Sequence, residues 1–339
     1  MTTATTTTPT HIPPAQGSLT EPLPPATDAP PGAWRRSLKS GRVLFGGGVL
    51  LVIVLICLVT LPWTTNDDGV LYYNLQNSAL SRQPPAASDV GGWFGFDTLG
   101  RSMLGRCLLG GTISLAIGVL AALMSVFLGV TVGLLAGYRG GWTDSVLMRL
   151  VDILYGLPYI LLVILFKIAL ELPLTRFIRR ITDMSGAEQV ANFIVLFFAI
   201  GAVSWLTMAR VVRGQVLSLR SQPFIEACKA AGLPEWRIFT RHLLPNLIGP
   251  ITVYATLIVP SAILNESFLS FLGIGIQAPM PTWGALASDG LLPALNPTNH
   301  LWWMLVFPCT LLAVTLLSLN FVGDGLRDVF DPKRDSAKL

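Results

Sequence analysis

Uncharged, strongly apolar stretches alternate with polar, turn-rich ones along this chain, and the apolar stretches are long enough to cross a membrane. From Val43 to Asn66 there are 24 residues without a charge, between Arg106 and Arg139 there are 32, and between Glu188 and Arg210 there are 21. A helix crossing the hydrocarbon core needs about 20 such residues. The pattern predicts six transmembrane helices, at about 43–63, 108–137, 145–168, 190–210, 248–270 and 301–322. The third is the least uniform. Asp152 and Lys167 lie near its ends, and Pro158 is expected to kink it.

The polar stretches set the organisation. Residues 1–42 read as a disordered Thr/Pro-rich cytoplasmic tail with a basic end: 1–31 hold nine Thr and eight Pro, and neither Lys nor Arg. The tail lacks the basic start and short apolar run of a signal peptide. Residues 64–105 form an extracytoplasmic segment, 169–189 a charged connection, 217–247 a long cytoplasmic loop, 272–299 a Gly/Pro-rich loop, and 326–339 a short cytoplasmic tail.

Composition supports this reading. The chain is 52% hydrophobic and 12% charged, where soluble domains carry about 25% charged residues. That excludes an ordinary soluble enzyme, a collagen and a disulfide scaffold, and leaves an all-α membrane protein. With the N-terminus inside, sixteen of the 23 Lys and Arg fall on cytoplasmic segments, as the positive-inside rule requires. Arg176, Arg179 and Arg180 depart from the rule. The net charge of +4 follows this topology and gives no reason to expect nucleic acid as a partner.

Catalytic and metal motifs are missing from the sequence. The cysteines, Cys57, Cys107, Cys228 and Cys309, are widely spaced, and His11, His242 and His300 are the only histidines. Neither a metal site nor a phosphate-binding loop is spelled out. Gly129, Gly133 and Gly137 form a doubled G-x-x-x-G, which lets two helix backbones approach closely. The motif leaves open whether the second helix belongs to this chain or to another subunit.

The most informative stretch is 217–247. Glu226, Ala227, Ala230 and Ala231 give a helix with a small-residue face. Gly232 is a helix stop, and Pro234 suits the first position of a second helix, which Pro245 is expected to end. Two short helices joined at a glycine and held below the membrane suit a groove on a cytosolic partner.

The run E-A-C-K-A-A-G (226–232) followed by R-H-L-L-P-N (241–246) resembles the coupling loop of permease subunits of ABC importers. Glu226, Ala227, Gly232, His242, Leu244 and Pro245 match that pattern, and Cys228 stands where a second alanine is usual. Further segments, in family order, resemble the dipeptide/oligopeptide/nickel permeases. They are F-D-T-L-G-R-S (96–102), G-Y-R-G-G-W-T-D (137–144), S-F-L-G (270–273), P-T-W-G (281–284) and G-D-G-L-R-D (323–328). Ser102 replaces an expected Asp.

The resemblance implies a type I ABC importer permease fold, with the permease domain at 106–325, in the C-type member of a permease pair. It implies as partners a second homologous permease subunit, two ATPase subunits, an extracytoplasmic substrate-binding protein and membrane lipid. It implies no cofactor on this chain, ATP and Mg belonging to the ATPases, and no enzymatic activity here. The expected cargo is di- or oligopeptides, with nickel or another small solute as the alternative, and a stand-alone secondary transporter or channel further off. The expected place is the cytoplasmic (inner) membrane of a prokaryote, multi-pass, with both termini cytoplasmic. His242 reads as a structural histidine. Asn265 and Glu266, late in the fifth span, are candidates for either a helix end or the translocation path. Trp302 and Trp303 resemble an interfacial aromatic belt.

Overall fold

A computed structural model describes residues 40–67, 69–181, 187–298 and 300–330. The tail expected up to 42 therefore lies outside the described residues as far as 39, and the closing tail lies outside them beyond 330. Among the described residues there is no named strand. The helices are α1 (Gly41–Val59), α2 (Leu61–Thr65), α3 (Met103–Arg139), α4 (Gly141–Tyr155), α5 (Tyr159–Ile181) and α6 (Ala187–Arg220). They continue with α7 (Pro223–Ala230), α8 (Glu235–Ile238), a π-turn (Phe239–Leu243), α9 (Leu244–Phe271), α10 (Trp283–Leu295) and α11 (Trp303–Phe330).

Five of these helices are long and apolar enough to cross a membrane, and the α4–α5 pair makes up to six if it is one bent span. That pair corrects the expected third helix. Rather than one kinked helix over 145–168, two helices meet at 97°. The break falls at Gly156, Leu157 and Pro158, where the proline cannot supply the N–H that would continue α4. α5 then runs through the expected connection to Ile181, carrying Pro173 inside it.

The most extensive helix pair is α3 on α6, and glycine makes it. A Cβ at Gly129 would stand 2.5 Å from the Met208 Cβ, one at Gly133 2.8 Å from the Val212 Cβ, and one at Gly137 2.8 Å from the Val216 Cβ. Two four-residue rows therefore mesh in register, and the partner of the G-x-x-x-G stripe is this chain's own α6. Antiparallel to both, α9 packs Ile263 against Gly118. α1 lies on α11, with Gly46 against the Ser318 carbonyl. Arg42 donates to Asp328 at 3.0 Å, which joins the two ends of the described chain.

The segment between α2 and α3 is built around F-D-T-L-G-R-S. The Asp97 carboxylate is buried and accepts the Leu99 and Arg101 N–H groups at 2.8 Å each, the Arg101 guanidinium at 2.6 Å and the Arg106 guanidinium at 3.0 Å. Gly100 takes φ of +74° inside this turn. Ser102 caps α3: its hydroxyl accepts from the Gly105 N–H and donates to the Gly91 carbonyl at 2.7 Å. Trp303 departs from the aromatic-belt expectation. It is buried and its indole donates to the Phe96 carbonyl at 3.0 Å, while Trp302 is exposed. The expected 272–299 loop contains α10, whose N-terminal Trp283 is buried and donates its indole N–H to the Cys107 carbonyl at 2.9 Å.

Candidate coupling loop and membrane cavity

Pro223 starts α7 after the extended residue Gln222. The helix closes in a Schellman motif: the Gly232 N–H donates to the Lys229 carbonyl at 3.0 Å, and the Leu233 N–H to the Cys228 carbonyl at 3.2 Å. Gly232 takes φ of +70°, the left-handed conformation that glycine adopts without strain. Pro234 is the N-cap of α8, one position earlier than expected.

Pro245 does not end the second helix. Across Phe239–Leu243 the backbone widens to a π-turn, in which the Leu244 N–H donates to the Phe239 carbonyl, and α9 follows without a break. The wider turn accommodates a residue that brings no N–H, so Glu235–Phe271 is one helical run.

One face of the helical pair is anchored. Ile225, Ile238 and Leu243 are buried together against Tyr138, and the Tyr138 and Phe239 rings stand 4.4 Å apart. Arg220 donates to the Gly137 carbonyl at 3.0 Å, beside the α3–α4 corner where Gly140 has φ of +65°. Two ion pairs hold α4 against α6: Arg213 with Asp144 at 2.6 Å, and Arg210 with Asp152 at 2.7 Å. The other face is largely open among the described residues. Glu226, Ala227, Gly232, Leu244 and Pro245 are exposed, together with Phe224 and Trp236, the last at 76%. His242 is half-buried, and its carbonyl accepts from the Asn246 side chain at 2.6 Å. Five of the six loop residues singled out in the sequence are thus exposed, with Trp236 as a prominent addition.

The end of α4, the α4–α5 break, α6 and α9 line an open cavity of about 560 Å³. Its polar lining comes from Tyr155, Tyr159, Ser204, Thr207, Tyr254, Ser261 and Asn265, and no lining residue is charged. Asn265 lines this cavity; Glu266 does not. Its side chain is fully buried on another face of α9, where its carboxylate accepts from Ser114 at 2.9 Å and from Ser270 at 2.8 Å. The Ser114 hydroxyl in turn accepts the Trp283 N–H at 3.3 Å. Glu266 therefore ties α3, α9 and the start of α10 together, and its burial takes it away from any path through this cavity. Sequence reasoning passed over Tyr159, Ser204 and Tyr254; isolated polar residues inside apolar spans were the available signal. Among the described residues no three His, Cys, Asp or Glu side chains come together in a metal-binding group.

The sequence matches known proteins over most of its length. Residues 129–336 match the family described as binding-protein-dependent transport system inner membrane component. The dipeptide transport system permease protein DppC of Bacillus subtilis (strain 168) is 40% identical over 301 residues, covering 89% of this chain and 85% of that protein. The oligopeptide transport system permease protein OppC of Escherichia coli (strain K12) is 42% identical over 299 residues, covering 88% and 90%. A chain of the inward-facing MetNI methionine ABC transporter is similar at 20% identity with a TM-score of 0.48, over 67% of this chain and 97% of that one. The chain belongs to the binding-protein-dependent transport system inner membrane components, among the ABC importer permeases that include DppC and OppC.

Proposed function

We propose that this chain is one permease subunit of a peptide importer, working with a second homologous permease, two ATPase subunits and an extracytoplasmic peptide-binding protein. The observation that carries this reading is the exposed face of the Gly232 helical pair, joined without interruption to the helix that walls the cavity. In this reading Glu226, Ala227, Gly232, His242, Leu244 and Pro245 belong to the surface that meets the ATPases. ATP and Mg stay on those partners, so the purified chain alone hydrolyses no ATP.

The uncharged, hydroxyl-bearing cavity suits cargo whose side chains vary, because it neither attracts nor repels a particular charge. The names of the relatives favour peptides over nickel. Both termini are cytoplasmic in this reading: a cysteine placed at Gly41 is protected from impermeant reagents in intact cells, and one placed at Arg82 is labelled.

The decisive experiment reconstitutes the complete transporter in liposomes and measures ATP-dependent uptake of a labelled peptide. Uptake that needs all partners and fails on omitting this chain is expected. A complete, assembled transporter that moves no peptide would overturn the reading.

A further inference from the structure

A second cavity, of about 370 Å³, lies between the second half of α5, the start of α6 and the turn after α9. Along α6 it is centred roughly fifteen residues before the first cavity, about 22 Å away at 1.5 Å per residue. Its lining is different in kind. Glu171 and Thr175 come from α5, Glu188, Gln189 and Asn192 from α6, and Gln277 from the turn after α9.

Hydrogen-bond acceptors there lack donors. Asn192 is only 4% exposed, and its Oδ1 has no hydrogen-bond partner; the buried Gln189 Oε1 has none either. A buried acceptor left without a donor costs about 1–3 kcal/mol, so such a pair in a cavity wall points to a donor supplied from outside. Two of the cations nearby are otherwise engaged, while Arg176 and Arg180 stand exposed on α5. Arg179 is ion-paired with Glu188. Lys167 turns its Nζ to the Ile274 and Gly275 carbonyls, the latter at 2.7 Å, and reaches Glu171 only through space. The Glu171 carboxylate makes no hydrogen bond or salt bridge among the described residues. The cavity is too large for a bare metal ion, and no metal-binding cluster of His, Cys, Asp or Glu occurs among the described residues.

We propose that this outer cavity receives a primary ammonium group, the N-terminus of a peptide on its way into the path; this rests on the peptide-importer reading above. An ammonium offers three donors and a positive charge, matching the Asn192 and Gln189 oxygens and the Glu171 carboxylate. The inner cavity, with hydroxyls and no charge, then lets the same group move on.

The test uses the complete transporter with a single reactive cysteine at Ala278, an exposed residue on the cavity wall. Labelling by a cationic methanethiosulfonate is expected to outpace labelling by an anionic one by roughly tenfold, and Glu171→Gln to remove most of that preference. Trialanine is expected to protect the cysteine, and N-acetyl-trialanine not to. Gln189→Leu, which removes an acceptor without touching charge, is expected to weaken protection while keeping the reagent preference. Equal labelling by the two reagents, or equal protection by the two peptides, would overturn the proposal. Uptake of labelled trialanine by the same preparation separates the two claims. Normal uptake with no discrimination at Ala278 sinks the ammonium site alone, whereas absent uptake in a fully assembled complex sinks the peptide reading beneath it.

Discussion

Ser114 and Glu266, 152 positions apart in the chain, meet through one hydrogen bond of 2.9 Å inside the membrane domain. Ser114 also accepts the first N–H of α10, so a single hydroxyl links the carboxylate of α9 to the start of the outer helix. Glu266→Leu leaves the Ser114 and Ser270 hydroxyls buried without their acceptor. The expected result is a loss of about 3 kcal/mol, read as a lower Tm of the detergent-solubilised subunit. Glu266→Gln, which keeps one carbonyl acceptor, is expected to fall between. An unchanged Tm in Glu266→Leu would mean that this junction does not hold α10.

The α3–α6 contact has no room for side chains at the glycine stripe. Gly133→Val places a Cβ 2.7 Å from the Ala209 carbonyl and 2.8 Å from the Val212 Cβ, with two methyls beyond it. Overpacking of this kind costs about 1–3 kcal/mol. The expected outcome is lower thermal stability and less subunit in the membrane, partly restored by Val212→Ala. Wild-type stability for Gly133→Val, measured by thermal shift, would show that the two helices separate easily.

Gly232 differs from those glycines because nothing lies within 4 Å of a Cβ built on it. Gly232→Val therefore strains only its own left-handed backbone, by about 1–2 kcal/mol, and leaves this chain's packing alone. Membrane levels near wild type are expected, with reduced uptake and reduced co-purification of the ATPase subunits. Gly232→Asn is expected to be milder, since Asn tolerates this conformation. Glu226→Lys tests the same surface without strain. Normal uptake and normal assembly in both Gly232→Val and Glu226→Lys would remove 217–247 from the coupling role.

In the segment between α2 and α3, Tyr72 is pushed up to about 12, first by its hydrogen bond to Asp67 and then by burial. Its folded value lies above the ordinary one near 10, so the hydrogen bond's contribution is complete below pH 10 and is lost as pH rises through about 12. Burial also pushes Tyr138 up, so the check is the difference from wild type: ultraviolet titration should lose one late-ionising tyrosine in Tyr72→Phe and move it down in Asp67→Asn. An unshifted titration in Asp67→Asn would dissociate the two residues.

These residues also show what the sequence made legible. Charge-free runs gave the spans because hydrocarbon tolerates little else, and Gly129, Gly133 and Gly137 announced a close helix approach. That the neighbour is Met208, Val212 and Val216 of the same chain depends on a fold that a spacing motif does not encode. The break at Gly156–Pro158 was read as a kink because a proline in a sequence does not state an angle. Charged Arg176, Arg179 and Arg180 suggested a loop, yet arginine is a good helix former and α5 continues through them. α10 escaped notice because 13 residues interrupted by glycine and proline carry a weak helical signal. Glu266 was placed near the outer end, but only its neighbours reveal that it turns away from Asn265 and from the cavity.

α9 carries Pro250 and Pro260 inside a continuous helix, and the cavity-lining Tyr254, Leu257 and Ile258 lie between them. Each proline deprives the carbonyl four residues earlier of its donor and softens the helix locally. Beyond the prolines both ends are fixed: the inner one runs into the anchored helical pair, and the outer one is held through Glu266 to Ser114. The wall segment between the prolines is thus the part of α9 least held by its own hydrogen bonds, set between an inner anchor at Leu243 and an outer one at Glu266.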